Sequence, residues 1–136
     1  MSKPDEKGCA PPDRAQRHEA GQRAYLSGDS AERSVAAEYF KRGCTVLETR
    51  WRGHGGEIDL IIRDGPVYVF CEVKKARNFD VAMTRLRPAQ MRRIHAAAEE
   101  FLGTTKSGSL SEVRFDLAIM DGQGRIEILE NAFGHF

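Results

Sequence analysis

The chain has little of what usually places a protein at once. No run of about 18 or more apolar residues occurs, so no membrane span is expected. The N-terminus lacks the apolar core of a secretory signal, so no export is expected either. Cysteine is scarce: Cys9, Cys44 and Cys71 are odd in number and show no CxxC spacing. They read as reduced thiols of a cytoplasmic protein, and Cys71, in an apolar strand, as a packing residue rather than a nucleophile. There is no glycine-rich phosphate loop of the Walker type and no internal repeat. Excess charge of one sign is missing too, since 21 Lys and Arg stand against 20 Asp and Glu. At 136 residues the chain can bury one core but hardly two.

What is present centres on Gly55 to Lys75, GGEIDLIIRDGPVYVFCEVKK. Glu57 to Arg63 and Val67 to Lys75 read as two strands, and Asp64-Gly65-Pro66 between them as a tight turn. In the first strand Ile58, Leu60 and Ile62 should share one face, with Glu57, Asp59 and Ile61 on the other. In the second, Tyr68, Phe70, Glu72 and Lys74 share a face opposite Val67, Val69, Cys71 and Val73. A turn centred between Gly65 and Pro66 brings Asp59 opposite Glu72, and Glu57 opposite Lys74. Opposed side chains on an antiparallel pair have Cβ atoms about 5 Å apart. Two carboxylates so close repel unless one is protonated or a cation lies between them. Hard oxygen ligands of this kind suit Mg²⁺ or Mn²⁺. The ordinary alternative is a solvated Glu–Lys pair at a strand end. The apolar run before Glu72 and a second acid in register favour the metal site.

Asp59 followed across the turn by Glu72-Val73-Lys74 resembles the PD-(D/E)xK motif of the restriction-endonuclease-like nucleases. More narrowly, GEIDLI at Gly56, VFCEVKKAR at Val69, RFDLAI at Arg114 and NAF at Asn131 resemble the YraN-like family of predicted nucleases. That family is similar to archaeal Holliday-junction resolvases. The resemblance runs in order through about residues 21 to 133. It implies an α/β, restriction-endonuclease-like fold and metal-dependent hydrolysis of DNA phosphodiester bonds, at branched or junction structures among others. It also implies Asp59, Glu72 and Lys74 as catalytic residues, and the Val73 carbonyl as a further metal ligand. Glu32 matches the family's helical acid and so becomes an auxiliary ligand. By itself, a carboxylate there would suit the first turn of a helix. Related resolvases are symmetric dimers, which carries the expectation of a homodimer.

Lys74, Lys75, Arg77, Arg85, Arg87, Arg92 and Arg93 face a single Asp80 within the same span. Such a cluster suits a phosphodiester polyanion, although a solvated helix face beside a basic loop would look the same. Lys75, Arg77, Arg87, Gln90 and Arg93 are the expected nucleic-acid contacts. Gln90 matches a family position near a helix start, but the Lys that commonly precedes it is Ala89 here.

The remaining chain frames this centre. Residues 1 to 20 form a polar, Pro-containing segment expected to be disordered, and 21 to 136 a single domain. A first helix should start near Gly28-Asp29-Ser30 and end at Gly43, burying Ala31, Val35, Ala36, Tyr39 and Phe40. Cys44 to Trp51 should be the first strand. Ala76 to Pro88 reads as a loop, and Pro88 to Leu102 as a helix burying Met91, Ile94, Ala98, Phe101 and Leu102. Val113 to Met120 and Arg125 to Leu129 complete a mixed five-stranded sheet flanked by helices. Asp116 should be neutralised by Arg114 on its own face. His54, in a Gly-rich turn, should be exposed. Two other functions stay open: a non-catalytic nucleic-acid-binding module that kept the fold, and a small-molecule or nucleotide hydrolase using the same acids.

Overall fold

The computed structural model describes residues 22–134, with side chains from Ser30 onward except Ser109. The expected polar tail lies outside the described residues. Helix α1 spans Gln22–Lys41 and is followed by three strands, β1 (Thr45–Arg52), β2 (Glu57–Asp64) and β3 (Val67–Lys75). Helices α2 (Phe79–Arg85) and α3 (Pro88–Leu102) cross over to β4 (Glu112–Met120) and β5 (Ile126–Leu129). The sheet order is β1-β2-β3-β4-β5, with β3 and β4 parallel and every other pair antiparallel. This is the α/β architecture expected, a mixed five-stranded sheet flanked by helices and compatible with a restriction-endonuclease-like fold.

Alternation along the strands sorts two apolar layers. Tyr68, Phe70, Phe115, Leu117 and Ile119 face α2 and α3, where they meet Ala82, Leu86, Ile94, Ala98 and Phe101. Leu60, Ile62, Val69, Cys71 and Ala118 face α1, where they meet Val35 and Tyr39. Phe101 sits edge-on to Trp51 of β1 and to Tyr68 and Phe70 of β3, tying α3 to two strands. Burial pushes the Cys71 thiol well above its ordinary value, as a packing role requires.

A polar tether fastens α1 to the sheet. Asp116 is fully buried. Its Oδ2 accepts the Tyr39 hydroxyl at 2.7 Å and Arg114 Nη2 at 3.0 Å. Its Oδ1 accepts Arg114 Nε at 2.9 Å and the Asn131 N–H at 2.9 Å. Every one of those bonds is charge-assisted, so the carboxylate stays satisfied without water. Local neutralisation of Asp116 by Arg114 is borne out, and Tyr39 and Asn131 complete it. Asn131, at φ 52°, also accepts the Phe115 N–H at 3.1 Å, so the NAF segment closes the end of β4.

Four expectations need correction. Helix α1 starts at Gln22 and runs through Gly28-Asp29-Ser30 without a break. A single helical Gly costs only about 1 kcal/mol relative to Ala, too little to stop a helix whose far end is packed. Phe40, assigned to the buried stripe, is 75% exposed; Glu32 is buried instead. The stripe turns toward Ala31, Glu32, Val35 and Tyr39, the spacing that the Tyr39–Asp116 bond selects. Residues 79–85, read as loop, form α2, because Asn78 Oδ1 caps the Val81 N–H at 2.9 Å and Ala82 is fully buried. Finally, Ile58 packs with Ile61 on the α3 side rather than with Leu60 and Ile62.

That last departure locates the irregular end of the sheet. The β2–β3 register follows the expected pairs from Asp64 with Val67 to Leu60 with Cys71, and stops there. Beyond it the Asp59 side chain, not its backbone, takes the Val73 N–H at 2.9 Å. Glu57 therefore does not meet Lys74; it pairs loosely with Arg52 across β1, at 3.7 Å.

Candidate active site

Where the ladder ends, side chains from both faces of the sheet reach one cleft. It has a volume of about 370 Å³ and is lined by Ala31 and Glu32 of α1, Arg50 of β1, Asp59 of β2, and Glu72, Val73, Lys74 and Lys75 of β3. Strand β3 is central, flanked by β2 and β4. Its run from Tyr68 to Glu72 is buried, and Glu72 is only 5% exposed. A carboxylate is thus carried to the end of an apolar strand and left where the sheet opens.

Burial is the main reason the Glu72 carboxyl is pushed up, to about 7, and the negative charge of Asp59 pushes the same way. Lys74 opposes them, its Nζ lying 3.0 Å from Glu72 Oε2. The same oxygen accepts the Gln90 amide at 2.8 Å from the first turn of α3. Pro88 starts that helix without needing an N–H partner and so sets where Gln90 lands. On the opposite side, Glu32 Oε1 accepts Arg50 Nε at 3.0 Å.

The sequence-derived residues divide on this map. Glu32, Asp59, Glu72, Val73, Lys74 and Lys75 line the cleft together. Gln90, expected as a nucleic-acid contact, joins them through its bond to Glu72. Arg77, Arg87 and Arg93 are exposed and lie outside the lining. His54 is exposed on the β1–β2 turn and held to α3 by Glu100, at 2.8 Å. That turn lies tight against α3: a Cβ on Gly56 would come within 3.1 Å of the Arg93 backbone carbonyl.

Arg50 is the cleft residue that sequence reasoning missed. It sits at φ 53° in mid-strand, between Thr49 paired with Leu60 and Trp51 paired with Ile58. A left-handed conformation costs a non-glycine residue about 1–2 kcal/mol. Nothing in the letters TRWR announces it, since Arg is not a residue that favours this region.

The donor chemistry fits a hard divalent cation. Asp59 and Glu72 offer hard oxygen donors, and the Glu72 carboxyl is raised by burial and by the Asp59 charge, which a cation would offset. Among the described residues no group of three or more His, Cys, Asp or Glu side chains stands ready as a preassembled metal cage. No helix among the described residues is long and apolar enough to cross a membrane.

Residues 31–120 match the family described as Uncharacterised protein family UPF0102. The chain belongs to UPF0102. This is the YraN-like family that the motifs resembled. A UPF0102 protein of Ruegeria pomeroyi is 52% identical over 115 residues, 85% of this chain and 94% of the relative. One from Roseobacter denitrificans is 48% identical over 113 residues, 83% and 88% of the two chains. One from Cereibacter sphaeroides is 47% identical over 114 residues, 84% and 97% of the two chains. The UPF0102 match runs from the α1 segment containing Glu32 to the end of β4, and so contains every residue lining the cleft.

Proposed function

We propose that this UPF0102 protein is a metal-dependent endonuclease that hydrolyses DNA phosphodiester bonds, branched or junction structures among its substrates. The reading is carried by one observation: Asp59 and Glu72 open on the same cleft, with Lys74 Nζ 3.0 Å from the buried Glu72 carboxylate. Asp59, Glu72 and the Val73 carbonyl would hold Mg²⁺ or Mn²⁺, with Glu32 as an auxiliary ligand from α1. A cation held there would supply an acidified water and offset negative charge on the phosphoryl oxygens. The chain's own residues do the rest. Lys74 neutralises negative charge growing on the phosphate, or steers the attacking water, from a position beside the metal ligand. Gln90 holds the Glu72 carboxylate in one orientation. Lys75, Arg77, Arg87 and Arg93 add positive charge around the cleft for the DNA backbone.

A second reading has an observation of its own. Glu72 is already engaged by Lys74 and Gln90, and Glu32 by Arg50, a self-satisfied polar cluster. A nucleic-acid-binding module that kept the nuclease fold without its chemistry would be built this way.

Cleavage of labelled four-way junction, flap, single-stranded and duplex DNA separates the two. Each substrate is offered with Mg²⁺, Mn²⁺ or EDTA, to wild type, Asp59→Ala and Lys74→Ala. The nuclease reading expects metal-dependent cutting that both substitutions abolish while folding is kept. Tight binding without cutting, indifferent to Asp59→Ala, would establish the module instead.

A further inference from the structure

We propose that Arg50 is a phosphate-binding residue of the cleft, held by Glu32 in the free protein and handed to the nucleic-acid backbone on binding. The inference rests on the nucleic-acid reading of the cleft and deepens it.

The backbone speaks first. Arg50 holds φ 53° between two regularly paired neighbours of β1. Gly or Asn would take that conformation more cheaply. Irregularities of this kind re-aim a side chain, and here the guanidinium is aimed into the cleft that Asp59, Glu72 and Lys74 line. Position comes next. The β1–β2 register sets Arg50 across from Asp59, at the point where the β2–β3 ladder ends. A phosphate approaching the acids therefore passes the guanidinium.

The present partner also suits an exchange. Glu32 Oε1 meets Arg50 through Nε at 3.0 Å. A guanidinium carries five N–H groups in a planar fork that matches two oxygens of a phosphate. Replacing one oxygen anion by another leaves Arg50 paired throughout. The same exchange releases the Glu32 carboxylate for the ligand role proposed above. Arg50 is thus a substrate contact in the bound state and a counter-ion in the free one.

The test is binding without chemistry. Fluorescence anisotropy of labelled four-way junction and duplex DNA is measured in EDTA over a range of salt. Wild type is compared with Arg50→Asn, Arg50→Lys and Glu32→Gln, with the Tm of each as the folding check. Asn suits the left-handed backbone; Arg50→Gly replaces it if the Asn variant melts early. Loss of one phosphate contact predicts about tenfold weaker binding by Arg50→Asn and a log–log salt slope shallower by about one. Arg50→Lys should keep the slope but not the full affinity, having the charge without the fork. Glu32→Gln should bind more tightly, because it removes the competing anion. Arg50→Asn binding like wild type would overturn the proposal. So would Arg50→Asn and Glu32→Gln weakening together with lowered Tm, the behaviour of a purely structural pair. Failure of wild type to bind either DNA would overturn the nucleic-acid reading itself, and this inference with it.

Discussion

Gln90 Nε2 donates a 2.8 Å hydrogen bond to Oε2 of Glu72, joining the first turn of α3 to the end of the central strand. That oxygen also lies 3.0 Å from Lys74 Nζ. An acid in an apolar strand is therefore oriented by a neutral amide on one side and a cation on the other. Groups that orient a metal ligand typically account for about 10–100-fold in affinity or activity. Gln90→Ala is expected to lower DNA cleavage by that order while DNA affinity in EDTA stays within about twofold. Mn²⁺ titration calorimetry on the same variant should show a matching loss of metal affinity.

The Glu72 carboxyl sets a pH dependence. Its folded value of about 7 lies above the ordinary 4.5. Between these values the native state holds a proton that the unfolded chain has released, so stability falls as pH rises through that window. The effect is on the order of 3 kcal/mol for a buried carboxyl shifted this far. Thermal melts in EDTA at pH 5 and pH 8 should show wild type losing more Tm than Glu72→Gln. Added Mn²⁺ should stabilise wild type more at pH 8 than at pH 6, since the proton must leave before a cation can bind. Equal pH profiles for the two proteins would mean that Glu72 ionises normally.

Asp116 belongs to the scaffold rather than the chemistry. Asp116→Ala removes the shared acceptor of Tyr39 and the Asn131 N–H and one of the acidic partners of Arg114, which keeps Asp64 at 3.1 Å. Breaking a buried charged network by removing one member costs about 3–5 kcal/mol. Urea unfolding should show a loss of that size. Tyr39→Phe, which removes one of the bonds and leaves the carboxylate paired, should cost about 1 kcal/mol.

Phe40, one position along α1, predicts the reverse. At 75% exposure it contributes no core packing. Phe40→Ser should change stability by less than about 0.5 kcal/mol in the same urea assay. A loss comparable to that of Asp116→Ala would show that this face of α1 is covered in solution.

Much of the fold was legible because it rests on local periodicity. A period of two marked Tyr68, Phe70 and Glu72 as one face of β3, and Asp64-Gly65-Pro66 fixed the β2–β3 register from within the turn. Helix α3 could be read from Pro88 and its stripe to the correct ends. Asp59, Glu72 and Lys74 share a cleft just past the point where that register stops, so the hairpin brings them near each other although the paired backbone does not reach them. What the sequence by itself determined was this hairpin, the order of the strands with α1 and α3, and UPF0102 membership through its motifs.

The tertiary structure alone decided the rest, because the deciding interactions join residues far apart in the chain. Glu32 rather than Phe40 is buried since Tyr39 reaches Asp116 across the sheet, and a helical stripe one position wide cannot choose between them on propensity. Gln90 meets Glu72 only because the crossover through α2 returns α3 to that end of β3. Arg50 takes a left-handed backbone that its residue type disfavours, and it does so opposite Asp59 and against Glu32. No local pattern encodes a strain that only the assembled cleft can compensate.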